Sequence, residues 1–341
     1  MTIEPLWRAM PPVVNLEAYV QALQWLTELP SNESLVLDFS ESERVYPDGV
    51  LPLIATLSRL REERGISVYI RVPRDRRLRG VFQAVGWEHY LVGPRTDFPK
   101  LPARMPRFTP VRPFHDTAEL DLLHRKMIQV LVSQARLATW LPEALQWALW
   151  EVMENVLNHA EVRFGWVQAS SYPERKHINL LVVDAGIGIR RSLSQRFPNL
   201  SDEEALRQAV EKGVTRDPAV GAGYGLAGCR EIIRMNKGEM TVYSGAVLLR
   251  QELKVKGWGA SRTEEELLRY GKRVNAHVGT IVELELRIDR PVDLAAALGQ
   301  RRPSSLLELD HDTGSNFEFM SEPRQRISER ARRGANSETR S

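Results

Sequence analysis

The stretch Glu151-Val-Met-Glu154-Asn155-Val-Leu-Asn158-His159 decides how the chain reads. It closes a run, 142–160, in which Ala144, Leu145, Ala148, Leu149, Val152, Met153, Val156 and Leu157 have the spacing of a buried helix. Carboxylates and amides set into such a helix need partners, because polar groups withdrawn from water without them are costly. Glu151, Asn155 and His159 lie four apart on one face, a spacing that suits the wall of a cavity better than a solvated surface.

Two glycine patterns follow. Strands are expected at 165–172 and 177–183, and the second delivers Asp184-Ala-Gly186-Ile-Gly188, where glycine lets the backbone turn with positive φ and approach a flat ligand closely. Alone, Asp-x-Gly-x-Gly is a weak signal, which an ordinary strand-end turn explains equally well. Further on, Gly221-Ala-Gly223-Tyr-Gly225-Leu226 stands just before a helix expected over 226–235. Glycines at that place expose backbone N–H groups at the positive end of the helix, a seat for a polyphosphate.

In this order the stretches resemble the nucleotide-binding boxes of the GHKL superfamily, which includes gyrase-type, chaperone, histidine-kinase and mismatch-repair ATPases. The closest likeness is to the anti-sigma-factor serine kinases, over roughly 117–288. The resemblance implies ATP and Mg2+ as cofactors. It implies that Asn155 holds the metal, that Glu151 orients or deprotonates the attacking water or hydroxyl, and that Asp184 reads the adenine amino group beside the turn of Gly186 and Gly188. Gly221, Gly223, Gly225 and Leu226 match the phosphate lid, and Gly279-Thr280 matches the final box. The implied fold is a Bergerat-type α/β sandwich, here over 115–290. Strands near 239–244, 247–254 and 280–288 would complete its mostly antiparallel sheet. Residues 255–277, with a helix expected at 263–272, interrupt the last hairpin and depart from the compact family pattern.

Ahead of this lies a smaller unit, 1–92. Asn15 can cap a helix carrying Leu16, Tyr19, Val20, Leu23 and Leu26 that Pro30 ends. Leu35-Val-Leu-Asp-Phe39 reads as a buried strand, and Val50, Leu53, Ile54, Leu57 and Leu60 have helical spacing up to Gly65. A second strand at 66–72 and a helix at 74–84 follow. Strand, helix, strand, helix implies a parallel pair with a crossover. This order, with Leu-Asp-Phe-Ser before the loop and Val-Gly-Trp after the last helix, resembles a STAS domain over 34–92. That is the fold of anti-sigma-factor antagonists. Where that family carries Asp-Ser-Ser-Gly, this chain has Tyr46-Pro47-Asp48-Gly49, so no hydroxyl stands at the acceptor position. Asp48 could mimic a phosphate or cap the helix near Val50; Ser40 and Ser42 in the same loop keep phosphorylation open. The family's opening strands are not evident, the first thirty residues reading better as a helix.

Six prolines between Gly93 and Phe114 mark 93–114 as a semi-extended linker, since neither a helix nor a central strand tolerates that density. A histidine kinase would need a phosphoacceptor histidine on a two-helix hairpin. His115 and His124 have no proline a few residues downstream, and a single helix separates the linker from Glu151, so both read as surface residues. Residues 291–341, rich in Ser, Arg, Glu and Asn after about Gln300, read as a disordered tail.

Composition sets the class. At 341 residues and 43% hydrophobic the chain can bury two cores. A net charge of +3 does not imply nucleic acid, and the eight arginines between Arg59 and Arg79 share their stretch with Glu62, Glu63 and Asp75 and with a single aromatic, Tyr69, as on a solvated face. No run is long enough to span a membrane, and the one cysteine, Cys229, has no internal partner, so a reducing cytoplasm is the expected location. The resulting expectation is an α/β protein of two domains, STAS-like then GHKL. It acts as a kinase on a sigma-factor or STAS-type protein partner, or as an ATP-hydrolysing switch without kinase activity, with a homodimer left open.

Overall fold

The computed structural model describes residues 4–93, 108–135, 141–211, 225–256 and 263–299. The amino-terminal part opens with β1 (Leu6–Ala9), β2 (Val13–Val14) and α1 (Leu16–Thr27). Asn15 caps α1, its side chain accepting the Ala18 N–H. Next come β3 (Ser34–Asp38), β4 (Arg44–Val45), α2 (Pro47–Arg64), β5 (Ser67–Arg71), α3 (Arg76–Ala84) and α4 (Trp87–Val92). The strands form a parallel sheet in the order β1-β3-β5, with β2 and β4 as a separate short ladder. The parallel pair with a crossover holds. The expectation that the first thirty residues lack strands does not, because β1 puts an apolar residue, Trp7, on its exposed side, so its alternation in burial leaves no apolar–polar pattern.

The first half of α2 is buried on every side: Gly49 through Leu57 are all inside. A helix that is apolar all round must be covered all round, and α2 is. It shares one core with Leu35, Leu37 and Val68 of the parallel sheet, and together with α1 it packs on a second sheet.

That second sheet is built from β6 (Arg112–Phe114), β7 (Gly165–Tyr172), β8 (His177–Asp184), β9 (Glu239–Lys256) and β10 (Thr263–Arg287). It is antiparallel throughout in the order β6-β7-β8-β10-β9. Alternation along the strands gives it two apolar faces. Val167, Ala169, Ile178, Leu180, Val182, Met240, Val242, Val282 and Leu284 face a helical layer of α5 (Thr117–Ala135), α6 (Leu141–His159) and α9 (Gly225–Asn236). Trp166, Leu181, Val183, Tyr243, Leu248 and Ile281 on the opposite face join the core of α1 and α2. The chain thus stacks four layers: parallel sheet, helices, antiparallel sheet, helices. Between β8 and α9 stand α7 (Gly188–Leu193) and α8 (Asp202–Ala209), the latter opened by a capping box of Ser201 and Glu204.

Three expectations are corrected. Residues 263–272 form no helix but continue β10 against β9 in one long hairpin, and 239–256 is a single strand. The helical preference of Glu-Glu-Glu-Leu-Leu-Arg is overridden by that pairing, by a two-pronged Arg230–Glu266 ion pair (2.9 and 3.1 Å) and by Arg207 stacked 3.9 Å over Tyr270. The proline-rich stretch does not stay outside the domains: Val111 N–H donates to the Val85 carbonyl, and 112–114 is the edge strand β6. An edge is where Pro113 can sit without breaking a ladder. Residues 94–107 lie outside the described part. The carboxyl-terminal stretch begins with a helix, α10 (Leu294–Ala297), capped by Asp293 and packed on α9 through Leu294, Ala297 and Leu298. Residues 300–341 lie outside the description.

Candidate functional site

α6 spends its apolar residues on the sheet and its neighbouring helices and leaves Glu151, Glu154 and Asn155 half-buried. Glu151 and Asn155, one turn apart, both face the first residue of α9. A Cβ on Gly225 would lie 3.0 Å from Asn155 Nδ2 and 3.1 Å from Glu151 Oε2, a tight fit that a side chain there would make by pushing those two groups aside. Burial, and then the neighbouring carboxylate of Glu154, push the Glu151 carboxyl up to about 7. His159 is half-buried at the last position of α6.

Asp184 ends β8 and is 3% exposed, paired in the ladder with Gly165 on one side and Thr280 on the other. Its Oδ1 accepts the Gly186 N–H at 2.8 Å. Burial raises its carboxyl to about 7 although backbone donors of Gly186 and Thr280 favour the charged form. The turn that follows is stitched to α6. Ile187 N–H donates to the Ala160 carbonyl at 2.9 Å, and a Cβ on Gly186 would stand 2.0 Å from that same oxygen. Gly188 and Gly279 both have positive φ, +73° and +111°. A Cβ on Gly279 would also lie 2.2 Å from the Asp184 carbonyl oxygen.

Two residues that sequence reasoning missed hold these turns. Ser244 Oγ accepts the Ile189 N–H and donates to the Gly279 carbonyl, both at 2.9 Å, so one hydroxyl clamps the Asp184 turn to the Gly279-Thr280 turn. His277 Nε2 lies 3.0 Å from the Asp184 carbonyl oxygen. Neither carries a signal at the level of sequence, because a lone serine and a lone histidine in a strand belong to no pattern. Of the expected residues, Glu151, Asn155 and Gly225 stand together, as do Asp184, Gly186, Gly188 and Thr280. The carboxyl end of α6 joins the two groups. Leu226 is half-buried against the helical core; Gly221 and Gly223 lie outside the described residues. His115 is exposed, but His124, read as a surface residue, is 4% exposed, and its Nε2–H donates to the Gln146 carbonyl.

The donor set fits a nucleotide with a magnesium ion. The Asn155 side chain is a neutral oxygen ligand, Glu151 is held beside it, and the missing side chain at 225 leaves their polar atoms uncovered. Magnesium usually takes one or two protein ligands together with phosphates and water. Such a site does not need the three-residue acidic or histidine cluster that is absent among the described residues. Also among them, no helix is long and apolar enough to cross a membrane.

Residues 141–290 match the family model described as histidine kinase-, DNA gyrase B-, and HSP90-like ATPase. The match starts at the first residue of α6 and runs just past β10. The carboxyl-terminal part of the chain therefore carries a GHKL-type domain, and both residue groups described above fall within it. No curated protein matches the chain.

Proposed function

We propose that the chain is a Mg-ATP-binding regulatory protein that transfers the γ-phosphoryl group to a serine or threonine of a separate protein, as the anti-sigma-factor kinases do. One observation carries the reading: Glu151 and Asn155 are a helical turn apart and face the start of α9, the segment that follows the glycine run. In this reading Asn155 holds the magnesium ion, and Asp184 accepts a hydrogen bond from the adenine amino group. Glu151, with a carboxyl raised to about 7, is poised to take a proton from a hydroxyl near neutral pH. The ion, when bound, would neutralise phosphate charge. Gly186 and the other turn residues keep the backbone close to the base.

The amino-terminal unit is, in this proposal, a STAS-like module that is no substrate in cis. Asp48 occupies the acceptor position, and Ser40 and Ser42 are 7% and 3% exposed. A partner of STAS or sigma-factor type would therefore receive the phosphate in trans.

The second reading, a nucleotide switch that hydrolyses ATP without phosphorylating protein, is favoured by the core that α1 and α2 share with the antiparallel sheet. γ-Labelled ATP incubated with the chain, alone and with candidate STAS proteins, separates the two. Label on protein supports transfer, and label released only as inorganic phosphate supports the switch.

A further inference from the structure

The amino-terminal unit reaches the candidate base site through a buried line of side chains. Tyr19 on α1 and His277 on β10 are 1% and 2% exposed. Tyr19 Oη lies 2.7 Å from His277 Nδ1 and 2.8 Å from Thr56 Oγ1 on α2; His277 Nε2 lies 3.0 Å from the carbonyl oxygen of Asp184. The protons in this line follow from valence together with the burial of the ring. A carbonyl only accepts, so His277 Nε2 carries a hydrogen. The ring is neutral, burial having pushed it down to about 3, so Nδ1 is bare and accepts from the Tyr19 hydroxyl. Tyr19 has thereby spent its one proton, and the Thr56 hydroxyl donates to it.

The line meets Asp184 at the last pair of its ladder, where β8 ends and the chain turns. The register of β10 against β9 shifts between His277 and Thr280, and Gly279 runs at positive φ hard against Asp184. The same stretch is tied to α1 twice more. Asn275 Nδ2 donates to the Val20 carbonyl at 3.1 Å, and Arg273 pairs with Glu17 at 3.5 Å.

We infer that Tyr19 and His277 are positioning residues for Asp184: through its carbonyl they fix the peptide plane from which the carboxylate is presented to the base, so the amino-terminal unit sets adenine recognition. The inference rests on the reading of Asp184 as the group that accepts the adenine amino hydrogen. Neither residue touches nucleotide. They act through Asp184, and their effect belongs to base discrimination.

The test uses the full chain and two ligands, ATP and purine riboside triphosphate, which lacks the exocyclic amino group. The readout is the ratio of their dissociation constants. Tyr19→Phe keeps the ring and its edge-on packing against His277 and removes the donor. It is expected to shrink the preference for ATP about fivefold, the net worth of one hydrogen bond, with Thr56→Val giving a smaller loss in the same direction. Asp184→Asn is expected to abolish the preference. General loosening of the fold would weaken both ligands alike and leave the ratio intact.

A ratio unchanged in Tyr19→Phe but lost in Asp184→Asn overturns the inference and leaves the base reading standing. A ratio unchanged in Asp184→Asn overturns both. Should Tyr19→Phe not fold, 15N spectra of the unaltered protein decide: the Nε2–H tautomer of His277 supports the line, and the Nδ1–H tautomer breaks it.

Discussion

Asp48 Oδ2 accepts the backbone N–H of Leu16 at 3.0 Å, so the first turn of α2 caps the first turn of α1. Gly49 permits the approach, since a Cβ there would meet the backbone of Asn15 at 2.8 Å. Asp48 is half-buried and takes backbone donors from Leu16 and from its own first turn, so it joins α1 to the start of α2. Incubation of the chain with Mg-ATP, followed by peptide mass analysis, is expected to show no phosphate between residues 34 and 60. Stoichiometric phosphate on Ser40 or Ser42 would overturn this.

Replacing Glu151 should separate binding from chemistry. Glu151→Gln is expected to hold ATP within about twofold of the parent and to cut turnover roughly 10²- to 10⁴-fold, the usual worth of a positioned base. Turnover of the parent should rise with pH through about 7 as the carboxyl loses its proton. Glu154→Gln removes the neighbouring like charge and should move that limb to lower pH. Parental turnover in Glu151→Gln would make the residue structural.

A third outcome concerns stability. Glu283, on the sheet face that meets α1 and α2, is raised to about 7 by burial first and then by Asp48, while Asn179 Nδ2 donates to it at 2.6 Å. The folded state thus holds a proton that the unfolded chain releases near 4.5. Stability from this group is present at low pH and falls as pH rises from about 4.5 to about 7. Glu283→Gln keeps the acceptor for Asn179 and removes the charge. It should stabilise the protein at pH 8, by about 1–3 kcal/mol, and change little at pH 5, as followed by denaturant unfolding. A variant less stable than the parent at pH 8 would contradict this account.

Much of the carboxyl-terminal part was legible because its signals are local. The strands read at 165–172 and 177–183 flank the turn Pro173-Glu-Arg-Lys, and the placement of Glu151 and Asn155 comes from helical spacing. The burial of α2 between two sheets was present in Val-Leu-Pro-Leu-Ile-Ala-Thr-Leu, which is apolar on all faces, but a single stripe of Val50, Leu53, Ile54, Leu57 and Leu60 reads the same whichever layer covers the rest. The long hairpin was not legible: pairing with a distant strand outweighs the helical preference of residues 263–269. His277 and Ser244 escaped for a related reason, since their partners, Tyr19 and Gly279 among them, lie up to 258 positions away.

Titration of Mg-ATP into the full chain, alongside Asn155→Ala and Asp184→Asn, tests the nucleotide site most directly. The account predicts saturable binding to the parent that weakens when magnesium is removed by chelation. Asn155→Ala should lose that metal dependence, and Asp184→Asn should lose the preference for adenine over guanine. Saturable binding that is identical in the parent and in both variants would contradict it, as would no binding to the parent.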